Sequence, residues 1–189
     1  EAHRSENQTA KSRRYEKHMR ALLALGVTTI VDPGIGPEHA SIIRDLQEKI
    51  PSPNIFLIGP LIGPKAGYPS NVLPHLAGVS SIEEVESKIE EFKRFDPLGI
   101  KIAIEDGVLM GVLPLFEKEL MSEIQHKAET SGQKLYIHAT DSNEVGLALD
   151  MKPHALVHGP HVYNKKLIRR IVEEDVYVIT TLDITHIFL

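Results

Sequence analysis

The order in which apolar runs appear constrains the fold of this chain more than any other feature. Short β-branched or apolar stretches recur along it: VTTIVDPG (27–34), NIFLIGP (54–60), GIKIAIED (99–106), KLYIHAT (134–140), ALVHG (155–159) and VYVITTL (176–182). Segments of helical period lie between them. Tyr15, Met19, Leu22 and Leu23 sit at i, i+4, i+7 and i+8, a helix that stops at Gly26. Ile42, Ile43 and Leu46 mark a helix over 37–49, and Ile82, Val85, Ile89 and Phe92 mark another, opened by a Ser81/Glu84 capping-box pair. Phe116, Leu120 and Ile124 belong to a helix that ends before Gly132. A short helix capped near Asp141 or Ser142 follows KLYIHAT, and Asn164 caps one carrying Leu167, Ile168, Ile171 and Val172. Residues 60–79, with several Gly and Pro, form a long loop. No Asn-Gly hairpin signal occurs. Strand then helix, repeated, is the signature of parallel βα units with both sheet faces covered. A (β/α)8 barrel and a doubly wound open sheet both satisfy the pattern.

Composition narrows the function more than the fold. With 189 residues, 42% hydrophobic and 25% charged, residues 1–189 make a single domain with a sizeable core. A net charge of −5 and the lack of a basic run argue against a nucleic-acid partner. The absence of cysteine excludes disulfides, thiolate metal sites and cysteine nucleophiles. No apolar run approaches the roughly 20 residues of a membrane span. The opening EAHRSENQTAKSRR is polar and unlike a signal peptide, so a cytoplasmic location is expected. Because Glu1 stands where an initiator Met would, the chain is expected to be processed or a piece of something longer.

Function in parallel α/β folds gathers at the carboxyl ends of the strands. Those ends present Asp32, His138, His158 and Asp183, with Lys101 inside the third strand. Neutral imidazole is a common metal ligand. Two histidines converge if their strands are neighbours, as successive βα units usually are. A lone strand-end histidine is more often simply a hydrogen-bonded group. Lys101 lies between Ile100 and Ile102 in a strand expected to be buried. A buried ammonium is costly and tends to lose its proton. The neutral amine can then take up carbon dioxide as a carbamate, an anionic oxygen ligand. The plainer alternative is a lysine that snorkels out or pairs with Glu105 or Asp106. Tyr68 in the long loop and His186 beyond the last strand are candidates to reach a substrate. Asp32 is better read as a turn cap, and His75, His154 and His161 as ordinary polar residues. The acidic run IEEVESKIEEFKRF is a solvated helix face with pairs such as Glu84–Lys88.

Taken in order, ALLALGVTTIVDPG, IFLIGPLIGPKAGYP, GIKIAIEDGV, YIHATD, ALVHGPH and VYVITTL resemble the amidohydrolase superfamily, in its imidazolonepropionase-like and prolidase-like branch. The resemblance implies a metal-dependent hydrolase-type TIM (β/α)8 barrel. It would be present here as an incomplete barrel of about six parallel βα units, strands two to seven of the family. It implies that His138 and His158 are metal ligands and that Lys101 is the carboxylated, bridging lysine, all three serving catalysis. The implied cofactor is a divalent metal, one or two ions, with zinc expected. The implied reaction is hydrolysis of a C–N bond in a small amide, peptide or cyclic amide substrate by metal-activated water. The family's His-x-His and last-strand aspartate have no counterpart: His3 is followed by Arg4, His18 falls on a helix, and Asp183 comes too early. A second expectation follows, that the chain is a non-catalytic scaffold associating through open sheet edges, including as a homo-oligomer. A nucleotide-binding reading fails on its motif. Gly34 and Gly36 are followed by Pro37, Glu38 and His39, so the G-x-G-x-x-G fingerprint is absent and Glu38 would repel phosphate.

Overall fold

The computed structural model describes residues 7–72, 78–107 and 112–180. Most of its helices begin where a short polar side chain accepts from one of the first backbone N–H groups, or where proline removes one. Asn7 accepts from the Ala10 N–H and opens α1 (Gln8–Ala24), while Pro37 starts α2 (Pro37–Lys49). Ser81 caps α3 (Ile82–Phe92), Asp141 caps α5 (Ser142–Asp150) and Asn164 caps α6 (Lys165–Glu173). The remaining helix, α4 (Lys118–Ser131), ends on Gly132 at φ +66, a left-handed cap that glycine adopts without strain. The capping box expected at Ser81 forms only in part. Glu84 accepts from the Ser80 N–H at 2.6 Å, one residue before the cap.

Among the described residues, seven strands run parallel. Strand β1 (Thr29–Asp32) pairs with β2 (Asn54–Leu57), and β3 (Leu61–Ile62), β4 (Gly99–Ala103), β5 (Lys134–Ala139), β6 (Ala155–His158) and β7 (Tyr177–Ile179) pair in sequence order. The strand expected over 54–60 thus ends its regular ladder at Leu57, and β3 is an additional strand at the start of the stretch expected to be loop. Pro60 is the physical cause, since it brings no N–H to the ladder. Pairing nonetheless continues past it. The Leu98 N–H donates to Leu57 O, the Gly59 N–H to Gly99 O and the Lys101 N–H to Pro60 O. The strand expected over 99–106 ends its regular ladder at Ala103, although the Ile104 N–H still reaches His138 O.

Within each of the two sheets, β1–β2 and β3–β7, every strand lies beside its predecessor in the chain, with no reversal of order. A doubly wound sheet requires such a reversal, so the structure is a curved arc of a (β/α) barrel. The convex face is covered by helices. Ile100, Ile102, Leu135, Ile137 and Leu156 pack there with Val85, Ile89, Ile124, Val145 and Leu149. Burying each such aliphatic side chain contributes about 1.5–3 kcal/mol. A second cluster joins α1 and α2 to β1 and β2 through Met19, Ile42, Ile43, Ile55 and Leu57. On the concave face Ile58, Tyr136, Ala155 and Val157 meet. Gly99 permits this contact, because a Cβ there would stand 3.0 Å from the Tyr136 ring and 2.2 Å from Lys134 O. Among the described residues, no helix is long and apolar enough to cross a membrane.

Candidate metal centre

Register decides what the strand ends can bring together. Ala103 is paired with His138, and Lys101 with Tyr136. Lys101 therefore starts two residues below His138, about 6.6 Å along the strand, a span its four-carbon stem covers. Leu135 and Ile137 belong to the convex core while Tyr136 belongs to the concave one, so alternation puts His138 on the concave face. There it is buried, with 8% of its surface exposed.

Alternation predicts the opposite for His158. Its register partner is Ala139, on the helix-covered side. The backbone overrides this: His158 has φ +89, a left-handed conformation rare for a side-chain-bearing residue. The imidazole packs edge-on against His138, with ring centroids 4.7 Å apart. Strain of this kind, worth of order 1–3 kcal/mol, tends to be kept where a side chain must be aimed. Burial, followed by neighbouring His138 and Lys101, pushes the His158 pKa down to about 4. The ring is neutral at physiological pH, the form that binds metal.

Lys101 is 4% exposed. Burial pushes its pKa down to about 7, and no carboxylate among the described residues offsets that shift. The pairing with Glu105 or Asp106 considered from the sequence does not form. Gly34 leaves room beside the stem, since a Cβ there would lie 3.7 Å from Lys101 Cγ. A lysine partly neutral near pH 7 and two imidazoles form a donor set that fits a divalent metal, with the neutral amine convertible to a carbamate oxygen.

Glu105 is instead committed to His138. Its Oε2 lies 3.1 Å from His138 Nε2 and 3.1 Å from Thr140 Oγ1, and its Oε1 accepts from the Gly107 N–H at 3.0 Å. Those bonds, the one from His138 foremost, hold its carboxyl down to about 2. Behind it lies Glu144, fully buried. Its carboxylate accepts from the N–H groups of Asp106, Thr140 and Asp141 at 2.8, 2.8 and 2.9 Å, and contacts Thr140 Oγ1 at 3.1 Å. Glu105, Asp106 and Glu144 bring ligand oxygens within 4.8 Å of one another. Three backbone N–H groups engage the Glu144 carboxylate, so the trio fastens the chain at the ends of β4 and β5.

Tyr68 stacks on His138 from the loop after β3, with centroids 4.9 Å apart. That loop is packed. A Cβ on Gly63 would come within 2.2 Å of Tyr68 O, and the buried Ser70 hydroxyl contacts Pro64 O and Gly67 O at 2.6 and 2.8 Å. The structure thus brings Lys101, His138, His158 and Tyr68 to one place. His3, His75, Asp183 and His186 lie outside the described residues. Asp32 accepts from the Gly34 N–H at 3.2 Å, the turn role expected of it. His154 sits away from the site, between Tyr136 and Tyr177. Sequence reading passed over Thr140 and Glu144 as site residues, yet D-x-x-E at 141–144 is a capping-box signal in plain view. It also passed over Tyr15 and His39, whose Oη and Nδ1 lie 2.9 Å apart between α1 and α2.

No family model and no curated protein sequence matches this chain. Solved structures do match its fold. A Xaa-Pro dipeptidase with methionine bound in its active site superposes with a TM-score of 0.75 at 22% identity, covering 94% of this chain and 48% of that one. An A. niger ochratoxinase gives 0.79 at 16% identity, with 96% and 49% covered. A metal-dependent hydrolase from Pyrococcus horikoshii, itself uncharacterized, gives 0.60 at 17% identity, with 93% and 37% covered. The chain spans about half the length of the first two and less of the third. It shares the fold of these hydrolase structures over about half of their length.

Proposed function

We propose that this chain carries part of the centre of a metal-dependent hydrolase that cleaves a C–N bond in an amide, peptide or cyclic amide. One observation carries the reading: the His138 and His158 rings meet at 4.7 Å on adjacent parallel strands, the second turned there by a left-handed backbone. His138 and His158 would hold a divalent ion, zinc by the chemistry of imidazole donors, and Lys101 as its carbamate would supply an oxygen. Such an ion lowers the pKa of bound water and polarises a carbonyl. The chain's own residues then do the rest. Burial lowers the Lys101 pKa so that a large share of the amine is neutral near pH 7, His158 is kept unprotonated, and Tyr68 walls the space over His138. The fold shared with a dipeptidase and a metal-dependent hydrolase supports this assignment.

Elemental analysis of the purified chain is the test. Between one and two zinc-type ions per chain, lost in both His138→Ala and His158→Ala, is the expected result. A well-folded chain without metal would sink the proposal. A second reading, association through sheet edges as a scaffold, is favoured by the exposed Tyr177 and Val178 on β7.

A further inference from the structure

We propose that Glu105 is a positioning residue that sets the tautomer of His138, keeping the proton on Nε2 and presenting Nδ1 to the metal. The proposal rests on reading this site as a metal centre. An ionised carboxylate has no hydrogen to give, so at a 3.1 Å contact the hydrogen must sit on His138 Nε2. In a neutral imidazole the remaining lone pair is then on Nδ1. A carboxylate behind a metal-bound histidine fixes its ring and raises its basicity.

Glu105 can do this only if it is itself held. The Gly107 N–H occupies Oε1, and Thr140 Oγ1 stands 3.1 Å from Oε2. The same hydroxyl lies 3.1 Å from Glu144 Oε2 and has one hydrogen to donate. Glu144 Oε2 already receives two backbone N–H groups, from Thr140 and Asp141. That leaves the Thr140 hydrogen for Glu105. A chain of fixed groups therefore runs from the cap of α5 to the imidazole: Glu144, Thr140, Glu105, His138. It fastens the end of β4 to the end of β5, the two strands that deliver Lys101 and His138.

Two measurements on the full chain test this. Long-range proton–nitrogen correlation spectra of the metal-free protein, at mildly alkaline pH, should show His138 as the Nε2–H tautomer, shifting to a mixture in Glu105→Ala. An Nδ1–H tautomer in the unsubstituted protein would overturn the proposal. Zinc affinity, measured by competition with a chromophoric chelator, should fall about 10–100-fold in Glu105→Ala. Glu105→Gln, which keeps an acceptor oxygen, should lose less. Unchanged affinity in a Glu105→Ala protein with native circular dichroism would also overturn it. If the unsubstituted chain binds no zinc, the metal reading fails while the spectra still decide the tautomer.

Discussion

His158 is the residue at which backbone and side chain disagree most. Alternation along β6 would send it to the helices, and φ +89 returns it to the concave face. This gives an inverted mutational order. Glycine ordinarily costs roughly 0.5–1 kcal/mol relative to alanine. At position 158 both variants lose the ring, and only alanine keeps the strain. His158→Gly should therefore be more stable than His158→Ala by about 1 kcal/mol in urea unfolding. Lys101 supplies a second prediction, through pH. Its folded pKa, about 7, lies below the ordinary 10.5. Between those values the unfolded chain binds a proton that the folded chain does not, so stability rises with pH across the window and is lowest below it. In metal- and bicarbonate-free buffer, Lys101→Met should flatten this rise. It should also stabilise the chain near and below neutrality, by roughly 5 kcal/mol at most. Denaturant titrations across that pH range check both. His138 and Lys101 were legible in the sequence because period-two alternation and burial follow from neighbouring apolar residues. The aim of His158 was not, because a single left-handed backbone angle leaves no periodic trace. Glu105 was weighed, with Asp106, as a partner for Lys101 four residues before it, while its actual partner comes from β5.

The elements show which local signals survive packing. Helix α2 lies where its apolar period and Pro37 put it, and α4 stops where Gly132 can turn left-handed. The long loop was misjudged, since β3 is too short to show a period and pairs only through Leu61 and Ile62. Helix α5 gives the sharpest contrast at this scale. Its two capping-box residues carry unequal burdens: Asp141 satisfies one part-buried helix N–H, whereas Glu144 serves three backbone N–H groups while fully buried. Asp141→Ala should cost about 1 kcal/mol. Glu144→Ala should cost about 3 kcal/mol or more, because it strands donors away from water. Chemical unfolding of the two variants side by side checks the ratio, and equal losses would contradict the network described.

For the whole molecule, the arc of parallel strands was legible from the strand–helix order alone. Its curvature was not, since the sequence pattern suits an open sheet equally well. What separates the two is the strictly consecutive order of β3 to β7, a property of pairing between distant segments. Among the described residues β1 and β7 are each paired on one side only. Tyr177 is 61% exposed and Val31 47%, both apolar groups on such edges. Strand edges of this kind recruit other chains. Analytical ultracentrifugation should show association that grows with concentration and that Tyr177→Lys, with Val178→Lys, reduces. A monomer at all concentrations would remove the scaffold reading.

The fastening of the Tyr68 loop has one more consequence. Gly63 and Ser70 build this aromatic onto the sheet, so the wall above His138 is set before anything arrives. A site of that kind selects by refusal. On the proposed reading, a substrate that needs Tyr68 to move aside is a poor one, and a substrate that packs against the ring where it stands is a good one.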